Sequence, residues 1–190
     1  MKRFIVFCFI LTMFLIIKGE GFDEYSFMKS VNPKITKRTM RIIKESVDKN
    51  YHMVSNTISK KHIYMIMAGE SRFYQKATGV SKNGSKDRGL FQVNSDTYKH
   101  LVDKGIVKNN YNRLYQIRYN VYIGLFLLRS KIRTIKRKID YSDDVETLAM
   151  MVLIAYNKGV GGLIRDIKDG REDFHNFKYI KHLNKFEKYI

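Results

Sequence analysis

Apolar residues recur along this chain at helical spacing for most of its length. Ile35, Ile42, Ile43 and Val47 fall on one helical stripe and predict a helix ending near Asn50. Asn32-Pro33 reads as its start, an N-cap followed by the one Pro at the first helical position. Ser59 suits the cap of the next helix, centred on Ile63-Tyr64-Met65-Ile66-Met67-Ala68. Six apolar residues in a row would also make a buried strand. Met, Ala and the run back to Ser59 favour a helix, and a helix apolar all round is buried all round. Ser95 would cap a further helix with Tyr98, Leu101 and Val102 inward, stopped at Gly105. The longest signal is Leu114, Ile117, Val121, Leu125, Leu128, Ile132, Ile135 and Ile139, with every step three or four residues, and it predicts one long helix. Asp143 and Glu146 form a capping box ahead of Val145, Leu148, Ala149, Val152 and Ala155, and Tyr156-Asn157-Lys158-Gly159 ends that helix. Tyr179, Leu183, Phe186 and Ile190 give a last helical stripe.

One stretch breaks this pattern. Residues 74–94 hold Gly79, Gly84 and Gly89, the turn pairs Asn83-Gly84 and Asp87-Arg88-Gly89, and short β-like runs such as Phe91-Gln92-Val93. The expected fold is therefore mostly α: a single helical domain with a small irregular or β-hairpin insertion around residues 74–94.

The extreme N-terminus follows a different rule. Lys2 and Arg3 precede an apolar run from Phe4 to Ile17, broken only by Thr12, and polar residues return at Lys18-Gly19-Glu20-Gly21. As a helix this run spans ~21 Å at ~1.5 Å per residue, short of the ~30 Å of a bilayer core. Residues 1–21 are thus expected to be a secretory signal cut after Gly21, and 22–190 the functional domain. An uncleaved membrane anchor is the second reading and a buried core helix the third. The only Cys, Cys8, lies inside this run with no small residues around it for lipid attachment, so no disulfide and no thiolate metal site are expected of the remainder.

Charge narrows the partners. Lys and Arg outnumber Asp and Glu 36 to 18, a formal net charge of +18. Loss of residues 1–21 would remove three cations and one anion, leaving +16. The basicity belongs to the domain and favours an anionic partner: nucleic acid, a membrane surface or an anionic polymer. The densest cations, Arg129, Lys131, Arg133, Lys136, Arg137 and Lys138, sit at the end of the long helix, where they suit the helix dipole as a solvated face.

Among candidate chemical groups Glu70 stands out. It lies at the C-terminal end of the most apolar helix, just before the irregular segment. Half desolvation and the negative helix end both disfavour its ionised form, which suits a general acid; a surface Glu beyond the buried turn is the plainer reading. The histidines at 52, 62, 100, 175 and 182 show no HxxxH or HExxH spacing, so neither metal nor other cofactor is expected. No G-x-S-x-G elbow and no phosphate-cradling glycine loop is present.

Three motifs carry a resemblance. Ala68-Gly69-Glu70-Ser71-Arg72-Phe73 resembles the A-x-E-S-x-F segment of the lysozyme-like lytic transglycosylases, the group related to the catalytic domain of soluble lytic murein transglycosylase. Gly89-Leu90-Phe91-Gln92-Val93-Asn94 resembles that family's G-L-M-Q-I segment, and Ala155-Tyr156-Asn157-Lys158-Gly159 its A-Y-N-A-G segment, followed by a matching Tyr179. Order and approximate spacing agree over roughly residues 35–185. The departures are an interval from Glu70 to Gln92 longer than in the best-known members, Gly79 where many members carry a Ser (Thr78 and Ser81 are neighbouring hydroxyls), Phe91 for Met, and Lys158 for a small residue, adding a cation at the cleft edge.

The resemblance implies an α+β lysozyme-like fold and a peptidoglycan lytic transglycosylase. Glu70 would be the single acid/base. Gln92, Asn94, Tyr156, Asn157 and Tyr179 would bind substrate, with the Tyr156 hydroxyl bonded to Glu70 or to the sugar, while Ser71 and Gly89 would be structural near the site. The bond cut would be the β-1,4 link between N-acetylmuramic acid and N-acetylglucosamine, leaving a 1,6-anhydro end. A hydrolytic lysozyme using Asp87 as second carboxylate is the alternative; goose-type lysozymes also resemble this chain but carry Asp where Asn94 stands. A non-catalytic wall-binding scaffold, and a basic membrane-tethered nucleic-acid binder, are the non-enzyme readings. Expected partners are peptidoglycan glycan strands and, as a candidate assembly, a secretion, flagellar or wall-synthesis complex. No nucleic acid is expected, and a membrane only through an uncleaved N-terminal segment. The expected location is exported, in the periplasm or associated with the cell envelope.

Overall fold

The computed structural model describes residues 21–81, 83–139, 144–171 and 173–190. The expected leader, with Cys8, and Asp143 of the expected capping box lie outside the described residues. Helices dominate, with one small sheet between the third and fourth of them.

The first helix, α1 (Glu24–Val31), had no counterpart in the sequence pattern, because only Phe27 and Met28 of its eight residues are buried. Asp23 caps it, accepting from the backbone N–H of Tyr25 and Ser26. Asn32 ends α1 rather than starting the next helix. A residue before Pro is pushed away from helical ψ, and Asn32 uses its side chain on both sides of the turn, accepting from Lys34 N and donating to Arg72 O at 3.1 Å. The cap of α2 (Lys37–Asn50) is Thr36, whose Oγ1 accepts from Thr39 N. Helix α3 (Lys60–Ser71) starts at Ser59 as expected, and Ile63 to Ala68 are all buried.

Strands β1 (Thr78–Val80), β2 (Lys86–Arg88) and β3 (Val93–Asn94) form an antiparallel meander in that order, one strand more than a hairpin. The register lines up Gly79, Asp87 and Asn94 in one cross-strand row. Asn94 rather than Ser95 caps α4 (Ser95–Asp103), accepting from Asp96 N at 2.9 Å. Helix α5 (Ile117–Lys138) is the long one; Leu114 belongs to a separate 3₁₀ turn, Tyr111–Tyr115. Helix α6 (Val145–Lys168) is capped by Asp144, which accepts from Glu146 N and Thr147 N. The expected end at Gly159 is a kink: its φ of 77° breaks the helical path, a conformation open to a residue without Cβ, and helix resumes to Lys168. Helix α7 (Lys178–Asn184) carries Ile180 and Leu183 inward, and Phe186 follows it into the core.

Helix α5 is the spine: both α2 and α6 pack on it, while α7 bridges α6 and α3. The C-terminal turn of α3 meets the first turn of α7 through Glu70 and Tyr179, and α6 reaches the turn between β2 and β3 through Tyr156, close to its kink.

Candidate active site

The carboxyl of Glu70 owes its place to an unusual helix end. After Ser71 the chain takes two left-handed residues that are not glycine, Arg72 (φ 48°) and Phe73 (φ 60°). Such backbone costs energy and persists only where the surroundings hold it. Phe73 is 1% exposed and packs against Phe27 and Tyr64. Asn32 holds the Arg72 carbonyl, and Ser71 Oγ donates back to Met67 O at 3.0 Å. Gln92 (φ 44°) is the third such residue among those described. All three flank one site.

Glu70 is half-buried, and Tyr179 Oη donates to its Oε1 at 2.7 Å across 109 residues of sequence. Burial pushes the Glu70 pKa above the ordinary glutamate range; Asp87 adds to this, while the Tyr179 hydrogen bond and His182 oppose it. Helix α7 can come this close because residue 69 is glycine. A Cβ there would lie 3.0 Å from Leu183 Cδ2 and 3.2 Å from His182 Nε2. His182 Nε2 lies 3.3 Å from the Gly69 carbonyl. Both site phenols stay protonated, since burial and the nearby Glu70 charge push Tyr156 and Tyr179 well above the usual tyrosine range.

The second wall is the Gly89–Asn94 turn, and its organiser is a residue that sequence reading missed. Asn120 on α5 is 1% exposed and fully engaged. Its Oδ1 accepts from Phe91 N at 2.8 Å, and its Nδ2 donates to Arg88 O and Leu114 O at 3.0 and 2.9 Å. Gly89 (φ 77°) is required here: a Cβ would meet Asn120 Nδ2 and Leu114 O at 2.3 Å. One helical turn further along α5, Gly124 leaves room for the Phe91 ring, which a Cβ would strike at 2.3 Å. The only sequence signal for this pair was an Asn and a Gly, both poor helix formers, inside the strongest helical stripe.

Tyr156 joins that wall to α6. Its hydroxyl donates to Phe91 O at 2.6 Å, and the two rings meet edge to face. The phenol that reaches Glu70 is therefore Tyr179, and the Tyr156 hydroxyl is occupied by backbone. Gln92 turns its amide nitrogen to Ala77 O and Gly89 O, and its Oε1 lies 3.0 Å from where a Cβ on residue 79 would stand. A Ser at position 79 would crowd it, so Gly79 and the orientation of Gln92 go together. Asp87 is half-buried, with Oδ1 accepting from Asn94 Nδ2 and Oδ2 from Ser81 Oγ. Asn94 is thus fully used inside the sheet and the α4 cap. Arg88, on the opposite face of β2, lies 4.1 Å over the Tyr111 ring and donates to Asn112 Oδ1, latching the sheet to the 3₁₀ turn.

Asn157 is exposed beside Tyr156. Lys158 does not add a bare cation to the cleft edge. It pairs with Asp166, 3% exposed, whose other oxygen binds Arg171 at 2.8 Å. Among the described residues no three His, Cys, Asp or Glu side chains gather as a metal ion would need.

The structure thus brings Tyr179 onto the half-buried Glu70 carboxyl, sets Tyr156 and Asp87 close enough to act with it through charge, and places Gln92 over Gly79 on the adjoining turn. Comparison with known proteins bears on the same residues. The family model of the transglycosylase SLT domain matches residues 49–177, about two thirds of the chain, and includes Glu70, Gln92 and Tyr156. No curated protein and no solved structure matches the chain. On the strength of that match, the chain belongs to the transglycosylase SLT domain family.

Proposed function

We propose that this protein cleaves the β-1,4 bond between N-acetylmuramic acid and N-acetylglucosamine in peptidoglycan and leaves a 1,6-anhydro end, with Glu70 as the single acid/base. The observation that carries the reading is the placement of Glu70: a half-buried carboxyl at a helix end, held by the Tyr179 hydroxyl at 2.7 Å, where burial pushes its pKa upward as a general acid needs. Family membership supports the peptidoglycan substrate.

In the first half of the reaction Glu70 gives its proton to the glycosidic oxygen and the N-acetylglucosamine side leaves as an alcohol. The muramic C1 becomes oxocarbenium-like, assisted by the sugar's own N-acetyl group. Tyr179 donates to the carboxylate that Glu70 has become. In the second half that carboxylate takes the proton of the muramic C6 hydroxyl, whose oxygen attacks C1. Attack from within the same sugar is favoured by proximity over attack by water, and Glu70 ends protonated as it began. Gln92 and Asn157 would contact the sugars, Tyr156 would fix the wall behind them, and Asn94 would act through Asp87.

One observation supports a second reading. Asp87 is held by Ser81 and Asn94 and its charge reaches Glu70. A hydrolase could use it to activate water, as two-carboxylate glycosidases do. Both Asp87 oxygens already accept hydrogen bonds, and Asn94 replaces the further carboxylate of goose-type lysozymes, so the anhydro product is the preferred outcome. Digestion of purified sacculi followed by mass spectrometry decides between them. Anhydro ends support the transglycosylase, reducing ends the lysozyme, and no fragments a wall-binding scaffold. Export to the cell envelope, with residues 1–21 as the leader, is part of the same proposal.

A further inference from the structure

Helix α5 has a second polar face that the catalytic reading does not use. Its 22 residues contain no Asp or Glu, and six of the ten residues from Arg129 to Lys138 are cations, of which Lys131 turns inward over the Tyr156 ring. Among the described residues the only ion pair on this helix is Arg118 with Glu45, at its far end. Phe126, Arg129, Ser130, Arg133, Thr134, Lys136 and Arg137 line an open groove of about 480 Å³. At ~100° per residue, Phe126, Arg129, Arg133 and Arg137 stand ~140–180° around the helix from Gly124, which faces the Phe91 wall. The groove is therefore a separate place from the site around Glu70.

Its geometry selects a kind of ligand. Arg129, Arg133 and Arg137 are spaced four apart, so their stems leave the helix every ~6 Å along its axis. A ladder of guanidinium groups fits a chain that repeats its charge, and guanidinium pairs with phosphate oxygens in two-pronged fashion. Between the cations stand Ser130 and Thr134, with no aromatic platform among them; the aromatic residues Tyr122 and Phe126 lie together at one end. Binding of single-stranded nucleic acid relies on such platforms for base stacking. We propose that this groove binds a linear, non-nucleotide phosphodiester polymer of the polyol-phosphate type, as a docking site apart from the catalytic centre.

The test is equilibrium binding of a fluorescent poly(glycerol phosphate) chain to the whole protein across a salt series. The triple variant Arg129→Gln, Arg133→Gln, Arg137→Gln is expected to lose at least tenfold in affinity. Its plot of log affinity against log salt should flatten by about two units, from three phosphate contacts at ~0.7 each. A control triple, Lys104→Gln, Lys108→Gln, Lys185→Gln, removes the same charge from exposed positions on other elements and is expected to lose less than threefold. Both triples should keep the melting temperature and circular dichroism of the parent protein, which shows that both are folded whatever their activity. Equal losses in the two triples would mean that only net charge matters and would overturn the proposal. Tighter binding of a single-stranded oligonucleotide with as many phosphates would overturn the choice of ligand.

Discussion

The two polar faces of α5 make an instructive pair. Towards the Glu70 site the helix presents one uncharged amide, Asn120, one bare backbone position, Gly124, and one half-buried cation, Lys131, whose Nζ lies 6.0 Å from the centre of the Tyr156 ring. Away from it the helix presents three arginines and their neighbours. The first face forms three hydrogen bonds to backbone and seats an aromatic ring. The second pairs with no carboxylate among the described residues. By charge alone the second face looks more important, yet the first face sets where Phe91, Gln92 and Tyr156 stand. Burial explains the difference: an amide cut off from water must be satisfied and so fixes its partners, while an exposed guanidinium keeps its water until a ligand arrives.

The largest effect should come from the group that the inner face serves. Glu70→Gln is expected to lower turnover of sacculi by at least 10³-fold, within the range for a general acid, measured by release of soluble fragments. Its stability should move the other way. A carboxyl with a raised folded-state pKa destabilises the fold where it is forced to ionise, above that pKa, and not below its unfolded value of 4.5. The variant should therefore melt at the same or a higher temperature at pH 7, with the gain vanishing below about pH 4.5. A variant that melts lower at both pH values would show that Glu70 is structural.

Next comes the clamp itself. Asn120→Ala leaves Phe91 N–H and the Arg88 and Leu114 carbonyls without their partner, and should cost about 3 kcal/mol or more, read by denaturant unfolding. Gly124→Ala keeps the helix but pushes the Phe91 ring, for about 1–3 kcal/mol of overpacking and a lower kcat through the displaced Tyr156 acceptor. If Gly124→Ala leaves kcat untouched, the inner face does not position the site.

Tyr179→Phe is smaller and more diagnostic. Loss of one hydrogen bond to a charged group, ~1.5–3 kcal/mol, should slow turnover roughly 10- to 100-fold. Because that bond lowers the Glu70 pKa, its removal should shift the alkaline limb of the pH–rate profile upward; a downward shift would contradict the assigned hydrogen bond. Smallest of all, each arginine of the outer face should change stability by less than about 0.5 kcal/mol when replaced by Gln, a contrast with Asn120 that thermal melts would measure directly.

Much of this was legible in the sequence where the pattern was long. The α3 and α5 helices, the glycine-rich interruption and the Glu70, Gln92 and Tyr156 motifs could all be read in order. Short or locally ambiguous signals failed. Helix α1 buries too few residues to show a period, and Asn32-Pro33 looked like a start when Asn32 was closing a helix and reaching 40 residues away to Arg72. The kink at Gly159 looked like an end because a left-handed glycine stops a helix and bends one equally well.

The chain's own order of residues determined the helical class, the place of the carboxyl at a buried helix end, and the motifs that mark the family. Only the packed molecule decided which phenol meets that carboxyl, that Asn120 holds the opposite wall, and that Lys158 is neutralised by Asp166. Periodicity reports which side of an element is apolar, a property of neighbours in sequence. The partners of a buried polar atom depend on the angles and distances at which whole helices pack, and those are set by all the side chains between them.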